Sequence, residues 1–372
     1  MQKMILRAVS LAALATACTA TFAQNSSVTL YGSLDQYLSY MKSSSGRSIT
    51  SLNDGLALRS RIGFRGVEAL GDGYEVKFNL EHGLSADAGT PADNNRFFDR
   101  QAWVGLNTPY GEFRAGRQNT AIFFRGGYID YGARTLGSIV NNFGTPSRYD
   151  NDLSYQSPRM AGVQFEAHYA PGESTSSAAS QAVYQLAVDY LNGPYRVGYA
   201  NIIGKPASGA AVDKDIVYHN LYANYDYGAG KVYAVFIRSN NSTSSANGNN
   251  ATNILGAVGA LVAGTNADAN RFYNIYQLSA DYKLTPNLRI GALFGKIDDT
   301  SDSGRSATGG SVGAFYDLSK RTTLVALAET MKNDTNAGFR PSGSAGVSPN
   351  FVGSEVNGQT MKGIQFGVIH KF

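Results

Sequence analysis

The sequence predicts an all-β chain, a 16-stranded antiparallel transmembrane β-barrel. Three observations carry this. Apolar and polar residues alternate with a period of two along most of the chain. Short turns and long polar connections succeed one another strictly. The chain stops mid-strand on an aromatic residue.

The alternation comes first. Val28, Leu30, Gly32 and Leu34 interleave with Thr29, Tyr31, Ser33 and Asp35. Tyr74, Val76, Phe78 and Leu80 interleave with Glu75, Lys77, Asn79 and Glu81. Tyr276, Leu278, Ala280, Tyr282 and Leu284 share a face opposite Gln277, Ser279, Asp281 and Lys283. Successive side chains of a strand point to opposite sides, so this pattern makes one wet and one apolar face. No helical window exceeds about two turns, and nothing after residue 23 offers the roughly 18 consecutive apolar residues of a membrane helix.

Turn-forming residues punctuate these runs at 70–73, 108–111, 157–162, 192–194, 228–230, 285–287 and 319–321. Long polar connections lie at 43–54, 84–95, 123–150, 171–180, 204–214, 240–270, 299–307 and 334–358. Seven turns and eight loops delimit 16 strands. Short links at one end and long ones at the other are the asymmetry of an outer-membrane barrel, with its turns in the periplasm. A closed barrel also pairs every backbone group, which lipid demands. A secreted sandwich or propeller accounts for neither this asymmetry nor the ending Ile364-Gln365-Phe366-Gly367-Val368-Ile369-His370-Lys371-Phe372.

Composition agrees. The 372 residues hold 23 Tyr and 18 Phe against one Trp, and 42 Gly against 10 Pro. Residues 1–23 read as a secretory signal peptide: Lys3 and Arg7, an apolar stretch from Ala8 to Ala17, and Thr21-Phe22-Ala23 before a cleavage at Gln24. The alternative, a lipoprotein signal ending at Cys18, puts Ala15 where Leu is usual. Cleavage after Ala23 removes Cys18, the one cysteine, so the barrel of residues 24–372 has no disulfide framework. It also leaves 30 basic against 28 acidic residues with no long basic run, which argues against a nucleic-acid partner. His82, His168, His219 and His370 stand in no metal or triad spacing, so neither a metal, a cofactor nor an enzymatic activity is expected. Asp298-Asp299-Thr300-Ser301-Asp302 lacks the glycine and distal Glu of a calcium hand and reads as a solvated loop.

Several short motifs, in this order and spacing, resemble the Gram-negative general porins. They are Ser27-Val28-Thr29-Leu30-Tyr31-Gly32, Ser60-Arg61-Ile62-Gly63-Phe64-Arg65-Gly66, Arg100-Gln101-Ala102-Trp103-Val104-Gly105-Leu106 and Gly116-Arg117-Gln118. The terminal His370-Lys371-Phe372 is similar to β-proteobacterial porins, including the neisserial group. The resemblance implies a homotrimer in the cell outer membrane, surrounded by its lipid and passing small hydrophilic solutes and ions. It implies a third loop, here 123–150, folded inward as a constriction. It makes Phe372 a signal to the barrel assembly machinery.

The resemblance places the constriction arginines at Arg61, Arg100 and Arg148. Alternation independently puts Arg59, Arg61 and Arg65 opposite Ile62 and Phe64, and Arg148 and Asp150 opposite Leu153. Arg100 shares parity with Ala102, Val104 and Leu106, so its place rests on the resemblance alone. Asp130 is the expected opposing acid on the loop. Glu75, Lys77 and Asn142 are further lumen candidates. Enterobacterial porins carry Pro-Glu-Phe-Gly-Gly near the loop tip, whereas this chain has Asn141-Asn142-Phe143-Gly144-Thr145, with Asn142 in place of the Glu. The expected pore therefore prefers anions. A substrate-selective channel for organic acids or other anions, using Tyr31, Phe123, Phe124, Tyr128 and Tyr131, is the alternative on the same barrel; an adhesin anchored by the barrel and a barrel enzyme are others.

Overall fold

The computed structural model describes residues 26–134, 136–175, 177, 181–206, 208–209, 213–240, 272–344, 346–347 and 351–372. The anticipated signal peptide and most of the 240–270 loop lie outside them.

Sixteen antiparallel strands close into one barrel. In chain order they are β1 (Ser27–Ser43), β2 (two segments, Ser48–Asp54 and Arg61–Gly71), β3 (Tyr74–Ser85), β4 (Gln101–Thr108), β5 (Gly111–Asn119), β6 (Arg148–Gln156), β7 (Val163–Ala170) and β8 (Val183–Asn192). There follow β9 (Tyr195–Gly204), β10 (Ile216–Asp226), β11 (Lys231–Ser239), β12 (Tyr273–Lys283), β13 (Leu288–Asp299), β14 (Ala307–Asp317), β15 (Thr322–Asn333) and β16 (Thr360–Lys371).

Each strand pairs with its neighbours in sequence, and β16 returns to β1 over Ser33↔Lys371 to Ser43↔Met361. The last residue completes the seam. Gly32 N–H donates to Phe372 O at 3.0 Å, and Phe372 N–H donates back to Gly32 O at 3.1 Å. A Cβ on Gly32 would overlap the Phe372 ring, so glycine is needed there.

The predicted faces are the observed ones. On β12, Leu278 is 65% exposed and Gln277 1%. On β1, Leu30 and Leu34 are exposed while Ser33 and Asp35 are buried. Tyr74, Tyr110, Tyr195 and Tyr282 stand on the outer face at the short-turn end, as in an interfacial aromatic girdle.

One predicted loop is largely strand. Residues 43–54 were expected as a connection, but only 44–47 link β1 to β2. Ser48–Asp54 pairs with β1 through Met41↔Ile49 and Leu38↔Leu52. Its Ser/Asn-rich composition reads as loop, and the long β1 supplies the ladder that makes it a strand. The irregular segment comes later, at 55–60, where β2 leaves the sheet. Asp35 Oδ2 accepts from Ala57 N–H at 2.8 Å and Leu58 N–H at 2.6 Å, and Ser60 Oγ accepts from Asp35 N–H at 2.9 Å.

The third long connection, 120–147, enters the barrel. Ile129, Tyr131, Leu136, Ile139, Val140 and Phe143 are buried within it. They meet an apolar inner wall containing Leu293, Ile297, Phe315, Val325, Leu327 and Met331. Burying side chains of this size contributes roughly 1.5–3 kcal/mol each. Glycine makes the close approach possible: a Cβ on Gly295 would sit 3.0 Å from Ile139 Cβ.

Candidate functional site

The inserted loop starts as a tied base. Thr120 N–H donates to Ser147 O at 2.9 Å, and its hydroxyl donates to Pro146 O at 2.8 Å. The same Thr120 oxygen accepts from Phe123 N–H at 3.0 Å, capping the one-turn helix α1 (Ala121–Phe124). Arg125 Nη1 then donates to Ala121 O at 2.8 Å and to Glu166 on β7 at 2.6 Å. Glu166 also meets His168 Nε2 at 2.8 Å, and His168 Nδ1 meets Asp152 at 2.7 Å. This buried chain of charges fixes the root of the loop to β6 and β7.

Asp130 fixes its middle. It accepts from Gly132 N–H (3.0 Å), Arg134 N–H (2.9 Å), Ser138 Oγ (2.8 Å) and Gln277 Nε2 on β12 (3.1 Å). Burial raises its carboxyl above the ordinary range, and these donors act against the rise. The acid expected to oppose the arginines is thus enclosed in a turn against the β12 wall.

The tip, α2 (Ile139–Phe143), docks on the last long loop. Asn142 Oδ1 accepts from Ser342 N–H at 2.9 Å, and Asn141 Nδ2 donates to Ser342 O and to Gly343 O, the latter at 3.0 Å. Phe143 packs against Tyr273 at 5.6 Å and Phe339 at 6.3 Å between ring centroids. Asn142, a candidate for the open lumen, is 1% exposed and serves as this clasp.

Across from the loop, arginines converge from β2, β5, β6 and the loop that leads into β4. Glu81 accepts from Arg100 Nε at 2.6 Å, with Arg61 Nη1 at 3.8 Å, and takes a hydrogen bond from the Tyr31 hydroxyl at 2.9 Å. Asp150 accepts from Arg96 Nη1 at 2.7 Å and Arg117 Nη1 at 2.5 Å. Arg148 lies within electrostatic reach of Arg61, Arg100, Arg117 and Glu81. Among the described residues no carboxylate comes within 4.0 Å of it, and its Nε and Nη2 have no hydrogen-bond partner. Its guanidinium instead covers one side of Phe123 at 4.8 Å, and Arg134 approaches the same ring at 4.0 Å. Five wall arginines (61, 96, 100, 117 and 148) thus share three carboxylates, Glu81, Asp150 and Asp93, the last 3.7 Å from Arg96, a local excess of two positive charges.

Arg61, Arg100 and Arg148 stand within electrostatic reach of one another. Arg100 could not be placed by parity because it precedes β4 instead of lying in it. Its backbone N–H donates to Glu81 O at 3.2 Å, where the strand alternation has not begun. Arg59 lies in the 55–60 break, 3.7 Å from Asp54. Lys77 bridges Glu75 (3.3 Å) and Glu112 (3.2 Å), nearer the short-turn end. Sequence reasoning missed Arg96, Arg117, Glu81 and Asp150 as site residues. Arg96 sits in a loop without periodicity. Arg117 sits within an irregularity between Gly116 and Gln118 that breaks the alternation. The polar faces carrying Glu81 and Asp150 were legible, but their arginine partners were not.

A family model described as Gram-negative porin matches residues 10–336. The chain belongs to the Gram-negative porin family. The porin is 28% identical to an outer membrane porin protein of Bordetella pertussis, over 90% of this chain and 95% of that one. It is 28% identical to the major outer membrane protein P.IB of Neisseria meningitidis serogroup B, over 88% and 92%. Among solved structures, an anion-selective porin from Comamonas acidovorans superposes with a TM-score of 0.75 at 24% identity, covering 94% of this chain and all of that one. The porin resides in the cell outer membrane and forms a water-filled channel through it.

Proposed function

We propose that this porin is a homotrimeric passive diffusion channel for small hydrophilic solutes, with a positive constriction that prefers anions, and not an enzyme. On this reading residues 1–23 are a cleaved signal peptide, the constriction loop expected over 123–150 is the inward connection 120–147, and Phe372 addresses the chain to the barrel assembly machinery. The carrying observation is the arginine wall, above all Arg148, which among the described residues has no carboxylate within 4.0 Å. Low-dielectric walls focus the field of such charges on the permeating ion. A unit charge about 5 Å away at an effective dielectric near 20 is worth roughly 3 kcal/mol before screening. The Asp130 carboxylate is turned into the β12 wall and offers little opposition. The likeness to a porin whose name calls it anion-selective supports the same reading. The trimer rests on the family resemblance.

A selective organic-anion channel is less favoured. Tyr131 is buried, and the Tyr31 hydroxyl is bound to Glu81, so the aromatic track is interrupted. Purified porin in a planar bilayer under a KCl gradient should give a reversal potential of the sign of chloride preference. Cation preference would reject the assignment of the arginine wall.

A further inference from the structure

The inserted loop contains a strained turn. Ala133 and Arg134 both take a positive φ, 55° and 63°. Neither is glycine, and such residues persist only where their surroundings over-determine them. Here Asp130 does so, by accepting from Gly132 N–H and Arg134 N–H. The turn brings the Arg134 side chain back to α1. Its Nη2 donates to Phe123 O at 3.2 Å, and its guanidinium lies 4.0 Å from the centre of the Phe123 ring. Gly126 leaves room for it, since a Cβ there would overlap Arg134 Nε.

This seat supplies no counter-charge. Among the described residues no carboxylate comes within 4.0 Å of Arg134, and its Nε has no hydrogen-bond partner. Asp130 lies within electrostatic reach, but its hydrogen bond is to the backbone of Arg134 and not to the guanidinium. Arg100 of the wall is in reach as well. The ring that seats Arg134 also carries Arg148, at 4.8 Å. An aromatic face attracts a guanidinium through its quadrupole and leaves the net charge intact. One ring thus orients a cation of the loop and a cation of the wall. The ring is itself fixed: Thr120 Oγ accepts from Phe123 N–H at 3.0 Å and donates to Pro146 O at 2.8 Å, two residues before Arg148.

We propose that Arg134 is a selectivity residue of the constriction, supplied by the inserted loop, and that Phe123 is the positioning residue that holds Arg134 and Arg148 at the passage without neutralising either. The loop then adds to the field of the wall instead of opposing it. This rests on the anion-preferring reading above.

The test is the chloride-to-potassium permeability ratio of the purified full-length porin, taken from reversal potentials across a planar bilayer near about 0.1 M KCl, where the Debye length is about 10 Å. Arg134→Gln should lower the ratio about threefold, the effect of one charge screened over roughly that length. Phe123→Leu removes no charge and should still lower the ratio, because both guanidiniums lose their seat; Phe123→Tyr should keep it. In the Arg134→Gln background Phe123→Leu should cost less than it does alone, as expected of residues that act together. Arg47→Gln removes a charge from an outer loop, where Glu355 pairs it at 2.9 Å, and should leave the ratio near that of the parent. Heat-modifiable migration establishes that each variant is folded; if Arg134→Gln does not fold, Arg134→Met, which keeps an unbranched stem, is read in its place. An anion-preferring parent whose ratio is unmoved by Arg134→Gln or by Phe123→Leu would overturn the inference. So would an equal fall in Arg47→Gln, which would make the effect one of net charge, or a fall in Phe123→Tyr as large as in Phe123→Leu. A cation-preferring parent would reject the reading of the arginine wall and this inference with it.

Discussion

Arg100 and Arg148 are both buried guanidiniums on one wall, yet their neighbours make them unlike. Arg100 is the nearer partner of Glu81, at 2.6 Å, and Arg61 stands off at 3.8 Å. Arg148 has a ring beneath it and, among the described residues, no acid within 4.0 Å. Removing Arg100 frees a buried carboxylate, and breaking such a pair typically costs about 3–5 kcal/mol. Removing Arg148 leaves no orphaned anion. Arg100→Ala should therefore lower the midpoint of heat-induced conversion to the unfolded band and shift the reversal potential strongly toward cations. Arg148→Ala should shift the potential in the same direction, at near-normal stability. Both shifts should shrink between 0.1 M and 1 M KCl, because the Debye length falls from about 10 Å to 3 Å. An unmoved reversal potential in both variants, measured in a KCl gradient, would remove these residues from the permeation path. Arg100→Ala with Glu81→Gln should recover stability without restoring chloride preference as strongly as the parent.

At the scale of elements, the loop that narrows the barrel is held at three places, and each can be released separately. The root is held by Arg125 and Glu166, the middle by Asp130 and Gln277, and the tip by Asn142 and Ser342. Asn142→Ala leaves the buried Ser342 N–H without its acceptor, a cost of about 1–3 kcal/mol. The last long loop and the inserted loop should then part more readily. Open-channel current noise should rise and closure should begin at lower voltage, while the far-ultraviolet spectrum stays that of a β-barrel. Single-channel recordings indistinguishable from the parent would mean that the clasp does not hold the tip. Arg125→Leu should act more severely, because it removes a buried cation and leaves Glu166 and Asp152 sharing His168 alone.

For the whole molecule, closure depends on the final residue. Phe372 supplies both backbone hydrogen bonds to Gly32, and its ring fills the space that glycine leaves. Deleting Phe372 should reduce the outer-membrane yield in a pulse-chase and lower the temperature at which the folded band is lost; an unchanged yield would sever the terminal aromatic from assembly. The intact protein should run as a heat-modifiable trimer after mild detergent extraction, and a monomer under those conditions would reject the proposed assembly.

The barrel itself was legible residue by residue. Lipid outside and water inside impose a period of two on every strand, and closure without an edge imposes the short and long connections, so strand number and facing follow from local pattern. The 43–54 segment escaped because its composition is that of a loop and its pairing depends on β1. The arginine wall was only partly legible, for a related reason. Alternation places Arg61 and Arg148 on the wet face, but it has no purchase on Arg96 in a loop, on Arg100 before a strand, or on Arg117 within a bulge. The roles of Asp130 and Asn142 were decided by the tertiary structure alone. Which carboxylate meets which guanidinium, and which side chain becomes a clasp, depends on distances between residues far apart in the chain. Periodicity records the side a residue faces; only the folded barrel and its inserted loop set what stands opposite.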